Sequence, residues 1–294
     1  MKVSYCILTY NQEEYIEQTL NAAVNQTYSP MEIIVSDDGS TDRTFEIIRQ
    51  FAKKYKGPNQ IVINQNTPNL GLREHYNKVL YELSHGDIAI LADGDDVSVE
   101  NRVEEYVKVF ERFPEVVMIS SKSKETDSNL NVINKDDEWD NTFSINTLAD
   151  YVENQNWFIH SSDSRALRRN VIEAFGPLKY PKAEDMSFFL RALMVGSECY
   201  IRTPYVMHRH HETNASHERW TPEMKNLLES QMYEDVECAV RSHLISNKMA
   251  EKVKKKFNYS LLYLTTYGST AFKSFDSFFY SVLSRVLDVR LIMR

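Results

Sequence analysis

The first 120 residues alternate between apolar runs of strand length and stretches with helical spacing, and this alternation constrains the fold more than any other feature of the chain. "KVSYCILTY" reads as a buried strand. "NQEEYIEQTLNAAVNQ" follows, with Ile16, Leu20, Ala23 and Val24 on one helical face. Asn11 and Glu14 stand where a capping box would open that helix. "EIIVSDD", "IVINQN", "DIAILAD" and "VVMISS" read as further strands. The intervening helices are "STDRTFEIIRQFAKKY", with Phe45, Ile48 and Phe51 on one face, "LREHYNKVLYELS", and a helix carrying Val99, Val103, Val107 and Phe110 that Ser98 can cap. Apolar strands separated by helices form a parallel sheet covered on both faces. Ligands of such α/β sheets bind beyond the C-terminal strand ends. The polar residues to examine are therefore 9–11, Asp37 with Asp38, and 93–96.

Composition narrows the partners. The 294 residues suffice for one large domain with an extension, or two modest domains. Apolar residues at 42% and charged residues at 26% suit a globular chain with a real core. A formal net charge of −8 leaves no dominant basic face, so nucleic acid held by phosphate contacts is not an expected partner. A ligand with two phosphates, assisted by metal ions, stays compatible. Cys6, Cys199 and Cys238 are scattered and form no CxxC spacing, which suits a reducing compartment. "MKVSYCILTYNQ" lacks a small-residue cleavage site and reads as a strand, not a signal peptide. No run of about 18 apolar residues suggests a membrane span. Beyond residue 125 the pattern loosens. A hairpin is expected at "TDSNLNVIN", short helices at "RRNVIEAFG" and "EDMSFFLRALMVG", extended chain at "CYIRTPYVMHRHH", and two or three helices from Pro222 onward.

"DGDD" places Asp93, Asp95 and Asp96 within four positions after an apolar strand. Neighbouring carboxylates repel one another, and a divalent cation bound through oxygen relieves that repulsion. Mg²⁺ and Mn²⁺ take one or two carboxylates and fill the remaining positions with water and phosphate oxygens. The stretch thus points to Mn²⁺ or Mg²⁺ carrying a phosphorylated ligand. Asp37 and Asp38 serve either as turn and cap residues or as acceptors for the imide NH of uracil or thymine. GxGxxG after the first strand and GxxxxGK[ST] are both absent, which removes the dinucleotide fingerprint and the P-loop. A nucleoside-diphosphate sugar suits this division of labour.

"VSYCILTYNQEEYIEQTLNAAVNQTY", "EIIVSDDGSTDRT", "NLGL…N" and "GDIAILADGDD" together resemble the family 2 glycosyltransferases of the GT-A fold, in order and spacing, over residues 1 to about 216. The resemblance implies an inverting, metal-dependent enzyme with a mostly parallel, Rossmann-like central sheet flanked by helices. It implies that Thr9, Tyr10, Asp37, Asp38 and Asn69 meet the nucleotide, with Asp38 the better match for the base contact. Asp93 then contacts the donor's ribose, Asp95 binds the metal and Asp96 assists. Where the family often reads Arg-Asn, this chain has Tyr76-Asn77, and Arg73 one turn earlier is the candidate substitute. Asp185 in "AEDMSFFLRAL" resembles the catalytic base, which must take the acceptor hydroxyl's proton. "HRHHETNAS" aligns Arg209, His211, Asn214 and Ser216 with a donor-side motif in which His211 is a metal or diphosphate ligand and Arg209 reaches a phosphate. His208 and His210 alternate to the other side of an extended strand and receive no role. "FIHSSDSRALRRN" resembles the acceptor-site floor, where Trp157, His160 and Ser162 meet the acceptor sugar, Trp157 being equally compatible with a core position.

The resemblance divides the chain into a GT-A catalytic domain at 1–220 and a helical extension at 221–294. Residues 1–120 form its nucleotide-sugar-binding half and 121–220 its acceptor and base half. It further suggests transfer from a UDP- or dTDP-sugar to a saccharide or lipid-linked saccharide in bacterial surface polysaccharide biosynthesis, in the cytoplasm or peripherally at the inner face of the cytoplasmic membrane. Two other readings compete. "DGDDV" also fits a haloacid-dehalogenase phosphatase drawing on Ser120 or Ser121, Lys122, Asp136 and Asp137, and a non-catalytic nucleotide-sugar-binding protein would need the donor residues alone. In the tail, Phe275, Phe278, Phe279, Val282, Leu283, Val286 and Leu287 form one stripe, bordered by Lys273, Arg285, Arg290 and Arg294. It docks either on protein, a second copy included, or on an anionic lipid surface.

Overall fold

In the computed structural model the described residues are 1–133, 142–153, 164–180, 184–212 and 221–267, with side chains described through Asn258. The first half runs β1 (Val3–Thr9), α1 (Ile16–Val24), β2 (Glu32–Asp37), α2 (Thr44–Lys54), β3 (Gln60–Gln65), α3 (Leu72–Asn77), a π-helical stretch at Lys78–Leu83, and β4 (Ile88–Asp93). β5 (Val97–Ser98), α4 (Arg102–Arg112), β6 (Val116–Thr126), β7 (Phe143–Asn146), α5 (Leu148–Glu153), β8 (Ala166–Arg168) and α6 (Arg169–Phe175) come next. α7 (Glu184–Val195), β9 (Ser197–Arg209), α8 (Pro222–Arg241) and α9 (Asn247–Tyr267) complete the described chain.

The strands form one sheet in the order β3-β2-β1-β4-β8-β6-β9-β5, with β7 on β9. The long pairings, β1 with β2 and β4, β2 with β3, and β6 with β9, are parallel. The short pairings of β8 with β4 and β6, and of β5 and β7 with β9, are antiparallel. Strand order reverses between β1 and β4: β2 and β3 lie on one side, β4 on the other. A crevice forms outside the carboxyl ends at such a switch point, and Thr9 and Asp93 are the last residues of the two strands that flank it.

Two apolar clusters cover the faces. One packs Tyr5, Ile7, Ile33, Val35 and Ile90 against α1, α2 and α4; the other packs Cys6, Leu8, Ile34 and Leu91 against α7 and α8. Alternate residues of β1 thus enter opposite clusters, as the two-residue period of a strand requires. α8 begins with the Thr221 hydroxyl accepting from the Met224 amide at 3.2 Å and Pro222 in the first turn. Its Asp235 forms a buried two-pronged pair with Arg191 of α7, Nε and Nη2 each at 2.8 Å, and this clamps α8 to α7.

Three local expectations are corrected. α1 starts at Ile16 with no side-chain cap, because the Asn11 amide oxygen instead accepts from the Thr41 amide at 2.8 Å. Asn11 itself sits at φ 51°, where asparagine is tolerated. Ser98 does not cap α4: it lies in β5, its hydroxyl joins Tyr5 Oη at 2.6 Å and Arg102 Nη1 at 2.9 Å, and the helix begins after Asn101. The strand predicted as "VVMISS" runs on to Thr126, its second half held by β9. The C-terminal stripe at 275–287 with Lys273, Arg285, Arg290 and Arg294 lies outside the described residues, as do Asp136 and Asp137. Among the described residues no helix is long and apolar enough to cross a membrane.

Candidate active site

Parallel register brings the acidic strand ends together. Thr9 pairs with Asp37, and Leu8 with Asp93. The turn after β4 is tied back to β1: the Gly94 amide donates to the Leu8 carbonyl at 2.9 Å, and the Thr19 hydroxyl donates to the carbonyls of Gly94 and Asp96. A Cβ on Gly94 would lie 2.6 Å from Thr9 Cβ, so this close approach needs glycine. Thr9 is buried and its hydroxyl donates to Gln12 Oε1 at 2.7 Å, whereas Tyr10 is 47% exposed at the rim.

Asp37 and Asp38 are both buried. Asp37 accepts from the Ser40 amide at 3.0 Å, from the Ser40 hydroxyl and from Gln65. Asp38 accepts from Asn66 Nδ2 at 2.8 Å and from the amides of Leu70 and Gly71, each at 2.9 Å. Asn69 Nδ2 donates to the Asp38 carbonyl at 2.6 Å. Gly39, at φ 74°, lets the backbone pass within touching distance of Asn66 and Asn69. "DDGS" and "NLGL" therefore form one interlocked loop pair, and Asp38 is its hub. Charge-assisted bonds to backbone amides are stronger than neutral ones, so this rim of the crevice is pre-organised. His75 lies beneath it, Nε2 2.8 Å from Ser36 Oγ, and burial holds its pKa below the ordinary value against the pull of Asp38 and Asp37.

The other wall joins the "DGDD" turn to the end of β9. His211 Nε2 is 2.9 Å from Asp95 Oδ2. The Arg209 amide donates to Asp96 Oδ1 at 2.8 Å, and Arg209 Nε donates to the Asp95 carbonyl at 2.7 Å. The rest of the buried Arg209 guanidinium donates to Gln18 Oε1 and the Ser128 carbonyl. Tyr15 lies against both: Arg209 sits over its ring at 4.5 Å from the centroid, and His211 stacks at 4.8 Å and 26°. Burial pulls the Arg209 pKa below its ordinary value, with Tyr15, Asp95, Asp96 and Asp127 opposing. Arg209 and His211 thus face one way along β9, and Arg209 braces the turn that carries Asp95.

The donor set of one carboxylate and one imidazole suits Mn²⁺ better than Mg²⁺, which prefers oxygen ligands. Carboxylate oxygen and imidazole nitrogen 2.9 Å apart span one edge of an octahedron, whose edge is about 3 Å for bonds of about 2.1 Å. Asp95 and His211 would hold the ion, with Asp93 and Asp96 of the same turn adjacent.

Asp185 opens α7, 55% exposed, with Oδ1 3.5 Å from Nη1 of the buried Arg165. Arg165 precedes β8, and its carbonyl accepts from the Leu91 amide at 2.8 Å, two residues before Asp93. The two acidic regions are therefore linked through adjacent strands. Tyr76 lies within electrostatic reach of both. Burial pushes its phenol well up, the charges of Asp93 and Asp185 add to that shift and Arg165 opposes it, so the hydroxyl stays protonated near neutral pH. The Arg73 guanidinium pairs with Glu74 and donates to the Lys179 carbonyl. Trp157, His160, Ser162, Asn214 and Ser216 lie outside the described residues.

Two contributors were not singled out from sequence. Arg165 carries a weak signal, a charged residue directly before an apolar strand. Tyr15 carries none, because one more polar-face aromatic on a helix approach is ordinary.

Comparison with known proteins agrees with the fold. The family model described as "Glycosyl transferase family 2" matches residues 4–176. An "Uncharacterized glycosyltransferase" of Haemophilus influenzae is 28% identical over 222 residues, 73% of this chain and 67% of that protein. A "Poly(ribitol-phosphate) beta-glucosyltransferase" of Bacillus spizizenii is 35% identical over 98 residues, 33% of this chain and 15% of that protein. Matches to mycobacterial relatives span 33% of those proteins' length. The fold matches a crystal structure of S. aureus TarS 1-349 in complex with UDP-GlcNAc at a TM-score of 0.68 and 19% identity, covering 92% of this chain and 74% of that one. It also matches the mannosyltransferase PcManGT of Pyrobaculum calidifontis in complex with GDP-Man and Mn²⁺, at 0.56 and 18% identity, covering 100% of this chain and 81% of that one.

Proposed function

The chain belongs to glycosyl transferase family 2, and from that premise we propose that it moves a sugar from a UDP- or dTDP-linked donor to a hydroxyl of a saccharide or lipid-linked saccharide, with inversion and with Mn²⁺ or Mg²⁺. The observation that carries the proposal is the convergence of Asp95 Oδ2 and His211 Nε2 beside Asp93 and Asp96 at the β1/β4 switch point. A nucleotide complex of a fold neighbour, TarS with UDP-GlcNAc, and the Mn²⁺ of another support the donor class and the metal. The Bacillus relative's name supports a role in surface polymer synthesis. The match does not favour the phosphatase reading of "DGDDV", which lies within the matched residues.

In this scheme the loop pair around Asp38 receives the base, with Tyr10 at its rim and Asn69 in its wall. Either Asp37 or Asp38 accepts from the imide NH through oxygen lone pairs not used by the loop. Asp93 meets the ribose. A bound Mn²⁺ or Mg²⁺ would offset the charge that develops on the departing diphosphate. Arg209 holds the Asp95 turn in place. Asp185, open to solvent at the α7 terminus, takes the proton from the acceptor hydroxyl as its oxygen attacks the anomeric carbon opposite the diphosphate. Arg165 orients that carboxylate, and the single displacement inverts the centre. α8 and α9 belong to the C-terminal extension that begins at residue 221, and the enzyme works at the cytoplasmic face, with this extension engaging either the membrane surface or a second copy.

A panel of nucleotide sugars with Mn²⁺ tests the proposal. The expected result is slow release of UDP or dTDP from one donor, lost on Asp95→Ala. Binding of a donor without turnover, even with saccharide acceptors present, would make the protein a binder instead.

A further inference from the structure

The alternation that turns Arg209 and His211 toward Tyr15 turns His208 and His210 the opposite way. There they meet Glu125. β6 and β9 run parallel with Glu125 in register with His208, so the carboxylate and the first imidazole share one face of the sheet. His210, two residues on, shares it too, and its amide donates to the Thr126 carbonyl at 2.8 Å, which fixes its position past the strand end. His210 Nε2 contacts Glu125 Oε2, and the two imidazoles sit edge to face with centroids 5.1 Å apart. One ligand atom from each of Glu125, His208 and His210 lies within 4.8 Å of the other two. All three side chains are half-buried, so water can complete a coordination shell.

We infer that Glu125, His208 and His210 form a second divalent-cation site, distinct from the Asp95–His211 pair and selective for zinc-class ions. Two imidazoles and one carboxylate with room for water are a donor set that suits Zn²⁺ better than Mg²⁺, which prefers all-oxygen shells. The surrounding bonds suit it too. His208 Nδ1 lies 3.0 Å from Asp96 Oδ2, the carboxylate–imidazole arrangement that fixes the tautomer and ring of a metal-binding histidine. The ion joins β6 to the last turn of β9, so it staples the segment that presents Arg209 and His211. Through Asp96 it also shares one carboxylate with the donor-side turn. The inference does not depend on the nucleotide reading, because its ligands are other residues.

The test uses the full chain, purified without immobilised-metal chromatography, stripped with EDTA and dialysed. It is then titrated with Zn²⁺ against a chromogenic chelator, with retained zinc read by plasma emission. The expected result is one zinc equivalent that His210→Ala and Glu125→Gln both lose and Asp95→Ala keeps. Asp96→Asn should weaken it by about 10–100-fold. Zn²⁺ should raise the melting temperature of the wild type and of Asp95→Ala but not of His210→Ala; Glu125→Gln gives the same readout should His210→Ala fold poorly. Equal zinc in wild type, His210→Ala and Glu125→Gln overturns the inference. So does a single equivalent lost as fully in Asp95→Ala as in His210→Ala.

Discussion

Asp38 and Asp185 are both acidic residues at element ends, yet the protein treats them oppositely. Asp38 is buried under three N–H donors and knots two loops together. Asp185 is 55% exposed and meets one guanidinium at 3.5 Å. Under the proposed function the difference separates recognition from chemistry. A group that reads a ligand gains from being held rigidly before the ligand arrives. A group that must accept a proton from an incoming hydroxyl needs an open approach and an unused lone pair. Asp185 is not loosely held, however. Its helix is anchored by the buried Arg191–Asp235 pair, and Arg191 Nη1 also donates to the Gly176 carbonyl at 2.8 Å.

The comparison can be broken most sharply at Asp185. Asp185→Asn should lower turnover by about 10²–10⁴-fold while donor affinity and melting temperature stay near wild type. Equal losses in turnover and affinity would move Asp185 to the recognition side. Next in size is the anchor. Asp235→Ala leaves Arg191 buried without its carboxylate and should cost about 3–5 kcal/mol in urea unfolding. A cost near zero would mean that α7 stands without α8. Asp38→Ala strands the Leu70 amide and Asn66 Nδ2 and leaves the Gly71 amide only Asn69 Oδ1; it should cost about 1–3 kcal/mol, with nucleotide binding falling alongside. Unchanged stability there would erase the contrast with Asp185.

The smallest expected effect is a pH dependence confined to the Asp38 side. Burial holds the His75 pKa below its ordinary value, so the unfolded chain binds the proton more readily than the folded one. His75 therefore contributes stability above roughly pH 6.5, and that contribution is lost as pH falls from there toward its folded pKa. The melting temperature should drop more steeply between about pH 7 and 5 in wild type than in His75→Gln. Parallel curves would contradict it.

The parallel half was legible because its signals are local. Apolar runs such as "EIIVSD" are long enough to read as buried strands, and carboxylates at their ends fall at the crevice by topology alone. Asn11 and Ser98 misled because distant groups, the Thr41 amide in one case and Tyr5 in the other, claimed side chains that local rules assign to caps. β8 and β5 were illegible because three- and two-residue strands carry no period of their own and exist by pairing with β4, β6 and β9. At the site, the resemblance pointed to Asp95 and His211, which the fold brings within 2.9 Å of each other. It could not show that Arg209 Nε bonds the Asp95 carbonyl, nor that Arg73 engages Glu74 and the Lys179 carbonyl. Both arginines reach backbone carbonyls more than 100 residues away in sequence, Asp95 for Arg209 and Lys179 for Arg73.

Calorimetric titration of UDP and dTDP into the wild type and Asp95→Ala, each with Mn²⁺ and with EDTA, tests the central claim most directly. The account predicts binding of one of the two nucleotides to the wild type that requires Mn²⁺ and vanishes in Asp95→Ala. Equal binding in all four conditions, or none of either nucleotide in any, would contradict it.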